Sequence, residues 1–224
     1  MRKLILSIAI GLCLISGAAA EDEEPCDDLV IRSINASVPL EMRKCKFNSD
    51  YGNAGCESAS TGINFNYNRM TVSDGKDSGF SFLLGGGFGL NHLTLDTPLN
   101  DDMTLNGLNL DFKIGWGIAP VCRENIIFGF HAICCFNYKN LTGIYKNSDI
   151  ELTEANFPVG IDLVLIMRNA KSFSIFTGLD LTTNLLGFGS FDMTNELNSV
   201  SMSYSTACIN AALRVGICWI VNDD

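Results

Sequence analysis

The chain has 224 residues, 47% of them hydrophobic and 18% charged, with 15 lysines and arginines set against 25 aspartates and glutamates for a formal net charge of -10. That acidic balance excludes a nucleic-acid partner, because phosphate binding needs a basic surface, and it disfavours peripheral attachment to anionic lipid. Beyond residue 20 no run of about 20 apolar residues is present, so no transmembrane helix is available, and the apolar residues belong to a soluble core or to a barrel of alternating strands.

The first residues have the pattern of an export signal. Met1, Arg2 and Lys3 precede an apolar run from Leu4 to Ile15, and Ser16-Gly17-Ala18-Ala19-Ala20 supplies the small residues of a cleavage site. A signal peptide is expected over 1–20, with 21–224 as one β domain. A retained anchor is opposed by the shortness of the run and by the acidic stretch Glu21 to Glu24. A lipoprotein signal at Cys13 is opposed by Ile10-Gly11-Leu12, which lacks the small neighbour of a lipidated cysteine.

The first predicted strand lies between Leu29 and Met42 and is the least sharp, with Ile34, Ala36, Val38 and Leu40 outward and Ser33, Asn35 and Ser37 inward. Ile63, Phe65 and Tyr67 alternate with asparagines. After the Asp74-Gly75-Lys76-Asp77 turn, Phe80, Phe82, Leu84, Phe88 and Leu90 share a face. The clearest strand runs from Asn106 to Ile118, where Leu108, Leu110, Phe112, Ile114, Trp116 and Ile118 recur with a period of two. The pattern resumes over Ile126 to Tyr138, Phe157 to Met167, Phe173 to Thr182 and Ala207 to Trp219, which makes eight strands.

Connection lengths alternate. Short turns fall near 73–79, 119–124 and 169–171, and longer loops near 43–58, 96–103, 140–155 and 186–200. Outer-membrane barrels have short periplasmic turns and longer outer loops, so both termini are expected on the periplasmic side. Aromatic residues gather at both predicted interfaces, with Tyr67, Phe80, Phe82, Trp116, Phe173 and Trp219 at the periplasmic ends and Phe136, Tyr138, Phe157 and Tyr204 at the outer ends. The competing fold is a secreted lipocalin-like barrel with its apolar face inward.

By topology, not by any motif, the mature chain resembles the small bacterial outer-membrane barrels of the OmpA and OmpX type. The resemblance implies an all-β, eight-stranded antiparallel up-and-down transmembrane barrel in the outer membrane. It also implies contact with outer-membrane lipid, insertion by the barrel-assembly machinery and a monomeric state. One departure is the ending Trp219-Ile220-Val221-Asn222-Asp223-Asp224, where that family finishes on an aromatic residue. Either Trp219 serves instead or the last strand extends differently.

The inward faces place Asp111, Lys113, His131, Asp162, Asp180 and Arg214 near mid-strand. In a narrow lumen they form either a salt-bridged plug or a gated polar path, since unpaired buried charges are costly. Catalysis at the outer rim would draw on His92 with Ser199, Ser201 and Ser203. No motif fixes their proximity, and His92 shares a face with Phe88 and Leu90, so no enzyme is expected.

Eight cysteines follow the signal, an even number that permits disulfides in an exported protein. Cys45 with Cys56 brackets the first outer loop, and Cys26 with Cys122 forms a second candidate pair on the periplasmic side. Cys134, Cys135 and Cys208 read as buried free thiols. No Cys-x-x-Cys spacing is present and histidines number 2, so neither a metal site nor a cofactor is expected. Gly85-Gly86-Gly87 reads as strand glycine that allows close side-chain approach, with no helix after it to make a phosphate cradle. The expected function is a structural or surface-binding role, with loops 43–58, 140–155 and 186–200 contacting a host surface, other cells or lipopolysaccharide-like ligands. A narrow pore is the second reading and a rim enzyme the third.

Overall fold

A computed structural model describes residues 29–49, 52–73, 79–96, 102–122, 125–168 and 174–222. The segment 1–20 expected as a signal peptide, Cys26, Phe173 and the turns expected at 74–77 and 169–171 lie outside these residues. The strands are β1 (Leu29–Ser49), β2 (Gly52–Val72), β3 (Gly79–Asp96), β4 (Asp102–Cys122), β5 (Ile126–Tyr145), β6 (Ser148–Asn156), β7 (Val159–Met167), β8 (Ser174–Thr194) and β9 (Ser199–Asn222). All pair antiparallel with their neighbours in one closed sheet.

The ring has eight staves, because β6 and β7 share one: both pair with β5 on one side and β8 on the other. The stave is interrupted at Phe157-Pro158, where proline has no N–H for the ladder. Its carbonyl still accepts from the Cys135 N–H at 2.8 Å, which keeps the two halves in line. Closure falls to the least sharply predicted strand and the unusual carboxyl end. β1 meets β9 from Leu29↔Asn222 to Asn48↔Ser203 and meets β2 from Leu29↔Val72 to Ser49↔Gly52. The last strand therefore extends past Trp219.

The long outer loops predicted near 43–58, 140–155 and 186–200 are not loops. β1 and β2 continue to Ser49 and from Gly52, β8 and β9 to Thr194 and from Ser199, and β5 and β6 are joined by Lys146-Asn147 alone. Both of those residues have positive φ, 47° and 63°, the conformation of a two-residue type I′ hairpin turn. Strands of 21 residues reach about 70 Å at ~3.3 Å per residue and rise about 50 Å at a tilt near 40°. A lipid band about 25 Å tall covers only half of that.

The band is visible on the outer surface. On β1 it runs from Ile34 to Met42, all five outward side chains of that stretch being exposed. This is close to the ~9–11 residues of a tilted membrane crossing. Arg32 bounds it below and Lys44 above, and in the adjacent strand Arg69 and Glu57 stand at the same two levels. Phe65, Phe88, Leu110, Phe112, Phe130, Phe136, Leu213 and Val215 carry the belt round the ring. Apolar residues therefore face outward, opposite to a lipocalin-like barrel.

Above the belt the faces invert. Leu93, Leu95, Met103, Leu105, Leu141, Ile150, Leu152 and Phe191 point inward and pack as one cluster, while Thr94, Thr104, Asn106, Thr142, Glu151 and Ser203 cover the outside. Tyr204 belongs to this interior, only 2% exposed, and so is not part of the outer aromatic girdle. Phe136, Phe157 and Phe188 do form such a row, with ring centroids 5.2 and 6.2 Å apart. Phe82 and Trp116 pair at 5.8 Å toward the opposite end of the belt.

Candidate functional site

The lumen is layered. At the end that carries both ends of the sheet, where Leu29 pairs with Asn222, Ile31, Met70, Leu83, Ile127, Ile133, Val164, Ile166 and Phe176 fill the bore. The outer apolar cluster fills the other end. Polar groups occupy the space between, because these inward positions cannot reach water or lipid and must satisfy each other.

Of the six lumen residues expected from the sequence, four form one ionic cluster. Lys113 Nζ lies 2.5 Å from Asp180 and 3.5 Å from Asp162. Arg214 donates to Asp162, lies 3.0 Å from Asp180 and stacks its guanidinium 5.1 Å from the Phe176 ring. The register explains the meeting: Asp162 faces Asp180 across β7–β8, and Asp180 faces Ala212 across β8–β9, one inward position from Arg214.

Asp111 stands apart in an asparagine cradle, accepting from Asn64 at 2.8 Å, from Asn109 at 3.0 Å and from Asn137. His131 faces Asp162 across β5–β7, but its Nε2 pairs with Ser81 Oγ at 2.8 Å and its Nδ1 has no hydrogen-bond partner. Ser81, His131 and Asp162 are all 0% exposed. A serine, a histidine and an aspartate thus share a region without a relay between the ring and the carboxylate.

A second cluster lies one tier higher and was not singled out from the sequence. Arg43 pairs with Glu154 and lies 3.6 Å from Glu41, and Lys139 pairs with Glu41. Tyr204 donates to Glu154 at 2.5 Å, Asn156 donates to the same carboxylate, and Asn184 donates to Asn156 at 2.7 Å. Arg43 and Glu154 fall in segments that read as loops, Lys139 borders one, Glu41 lies at the end of the least sharply predicted strand and Tyr204 reads as part of the outer girdle, so nothing marked the group as lumenal. The inward phase of β1 carried through Glu41 and Arg43 is the signal that would have found two of them.

Two small cavities of about 40 and 60 Å³ lie between the clusters and share Pro39, Asn64, Asp111, Asn137, Pro158 and Asn210 in their linings. Each has room for a few waters.

At the rim, His92 is exposed on β3 and pairs with Asn106 Oδ1 at 2.8 Å. Ser199, Ser201 and Ser203 are on β9, with β2 and β1 in between, roughly 14 Å around the ring at ~4.8 Å per strand. The structure does not bring them together. Cys45 and Cys56 are direct cross-strand partners, both free thiols. Cys122 is half-buried near the end of β4, and its candidate partner Cys26 lies outside the described residues. Cys134 is exposed on the lipid-facing side, not buried as expected, because it takes the outward phase of β5.

A closed antiparallel ring with an apolar belt outside and paired charges within is the architecture of bacterial outer-membrane β-barrels. Solved structures show the same fold: OprG from Pseudomonas aeruginosa superposes with a TM-score of 0.61 at 10% identity, covering 88% of this chain and 97% of that one. The outer membrane protease OmpT from Escherichia coli does so with a TM-score of 0.51 at 7% identity, covering 90% and 99%. No protein-family model and no curated protein matches the chain.

Proposed function

We propose that this barrel is a surface-binding protein of the outer membrane, whose working part is the β-sheet wall above the bilayer. The observation that supports this reading most directly is the inversion of faces above the belt, which builds a rigid, dry-cored platform standing clear of the lipid. Its exterior is acidic and hydroxyl-rich: Glu57, Asp96, Asp102, Asp149, Glu151, Asp192 and Glu196 outnumber Lys44, Lys46 and Lys146, with Ser199, Ser201, Ser203 and Ser205 on one side. Such a surface suits basic or neutral partners and repels polyanions such as lipopolysaccharide cores.

The test uses the full barrel in nanodiscs over immobilised lysine-rich peptide and, separately, over heparin. Retention is expected on the peptide alone, and Asp149→Asn with Glu151→Gln is expected to weaken it. Retention on heparin, or indifference to the two substitutions, would overturn the reading.

The pore reading has less support, since two ionic clusters and two apolar fillings occupy the bore. In planar bilayers the purified protein is expected to give no steady single-channel conductance at moderate voltage. Steady channels that change ion preference on Asp111→Asn or Arg214→Gln would instead favour the pore.

Cys45 and Cys56 are placed to stiffen the first outer hairpin, because directly opposed strand positions have Cα separations within disulfide range. Mild oxidation is expected to remove both thiols from alkylation together while Cys134 stays reactive. Independent loss of one thiol would count against the pairing.

A further inference from the structure

We infer that the lumen between the two ionic clusters holds one monovalent hard cation such as sodium, bound by the amide oxygens of Asn64 and Asn109 and compensating Asp111. This goes beyond the surface-binding role and does not depend on it.

The charge comes first. Among the described residues, every other lumenal carboxylate of the two clusters meets a cation: Glu41 and Glu154 in the upper one, Asp162 and Asp180 in the lower. Asp111, between them, meets amide N–H groups alone. Lys113 and Lys139 occupy the neighbouring inward positions on β4 and β5, but they are bonded to Asp180 and to Glu41. His131 is tied to Ser81 in the lower tier. This layer therefore carries one carboxylate more than its cations match, with apolar fillings at both ends. A buried charge in that position is costly unless something compensates it.

The oxygens come second. Asn64 and Asn109 each turn the N–H end of the amide toward Asp111, at 2.8 and 3.0 Å, so their oxygens face away from it. Both oxygens are buried without a hydrogen-bond partner, in residues only 7% and 2% exposed. They converge on one point. Gly89 lies between the two residues in register, and a Cβ there would collide with both oxygens and stand 2.5 Å from the Ile63 carbonyl oxygen.

The chamber is about 40 Å³ and is also lined by Asn91 and Asn210, whose amide oxygens have no partner either. All the unpartnered side-chain atoms of its described lining are thus acceptors. Such a set suits a cation or water. The carboxylate decides between them, because it polarises the two amides that hold it and makes their far ends more negative. Uncharged oxygen ligands with a single nearby compensating charge select a hard monovalent ion over a soft metal.

The experiment refolds the full barrel into lipid vesicles in sodium chloride or in choline chloride at equal ionic strength and compares the urea midpoints of the gel shift. Wild type is expected to resist unfolding better in sodium, by about tenfold in the unfolding equilibrium when sodium is at ten times its dissociation constant. Asp111→Asn should unfold at the same midpoint in both salts. Gly89→Ala puts a methyl group where the oxygens converge and should lose most of the sodium effect with Asp111 in place; if it does not fold, Asp111→Asn decides. Equal wild-type midpoints in the two salts, or a full sodium effect in folded Asp111→Asn, would overturn the assignment. So would a wild-type midpoint that ignores sodium but rises as pH falls, since a proton would then be what compensates Asp111.

Discussion

Asp162→Ala is expected to destabilise the barrel by about 3–5 kcal/mol, the cost of stranding a buried charge by removal of its partner. Asp162 is 0% exposed, accepts from Arg214 and lies 3.5 Å from Lys113. Without it, Arg214 and Lys113 share Asp180 alone, and Arg214 is itself only 1% exposed beneath the Phe176 ring. The measurement is the denaturant midpoint of the gel shift between folded and unfolded forms in lipid vesicles.

Two controls give the number its meaning. Lys44→Ala breaks the exposed Lys44–Glu57 pair at 3.5 Å and should change stability by no more than about 1 kcal/mol, as for exposed ion pairs generally. Asp162→Ala combined with Arg214→Met should be less damaging than Asp162→Ala alone, because the stranded cation goes with its partner. A loss under about 1 kcal/mol for Asp162→Ala would mean that water reaches the cluster, and would move the lumen from plug toward conducting path.

The fold was legible because a period-two pattern depends only on which side faces lipid. The same dependence explains what was missed. On β3 the apolar phase is even through Phe82, Leu84, Phe88 and Leu90, then passes to odd at Leu93 and Leu95. On β5 it passes from Phe136 and Tyr138 to Leu141. Read along the sequence, a change of phase looks like the end of a strand. In the molecule the strand continues, and the surroundings change from lipid outside to water outside, so the apolar residues move to the interior. The loops near 43–58, 140–155 and 186–200 were an artefact of that change.

The same reasoning separates the two ionic clusters. Lys113, Asp162, Asp180 and Arg214 sit between lipid-facing residues of unmistakable phase, so their inward direction followed at once. Glu154, Lys139 and Arg43 sit at the crossover, where neither face is consistently apolar. Nor does sequence reveal that Asp162, Asp180 and Arg214 converge, which depends on the β7–β8 and β8–β9 registers. The Phe157-Pro158 break and the β8 register shift between Asn184 and Gly187 adjust those registers locally, and no period announces them.

The position of the membrane can be tested with one residue type at two heights. Leu213 is 60% exposed and lies opposite Val38, the centre of the Ile34 to Met42 stretch. Leu213→Arg is expected to cost about 2–4 kcal/mol in vesicles, the penalty of a lipid-facing arginine at the bilayer midplane, whereas the penalty fades to about 0–1 kcal/mol toward the interfaces. Ser203 points outward on the same strand, opposite Asn48 near the hairpin tip, and Ser203→Arg should be nearly neutral. Trp116 and Trp219 provide the fluorescence for equilibrium unfolding. A soluble barrel would accept arginine equally at both positions, since both would face water. A barrel whose belt lay higher would reverse the order. Only a membrane centred at Val38, with the wall around Ser203 above it, makes the lower substitution costly and the upper one silent, and in that arrangement the acidic exterior stands where a partner outside the cell can reach it.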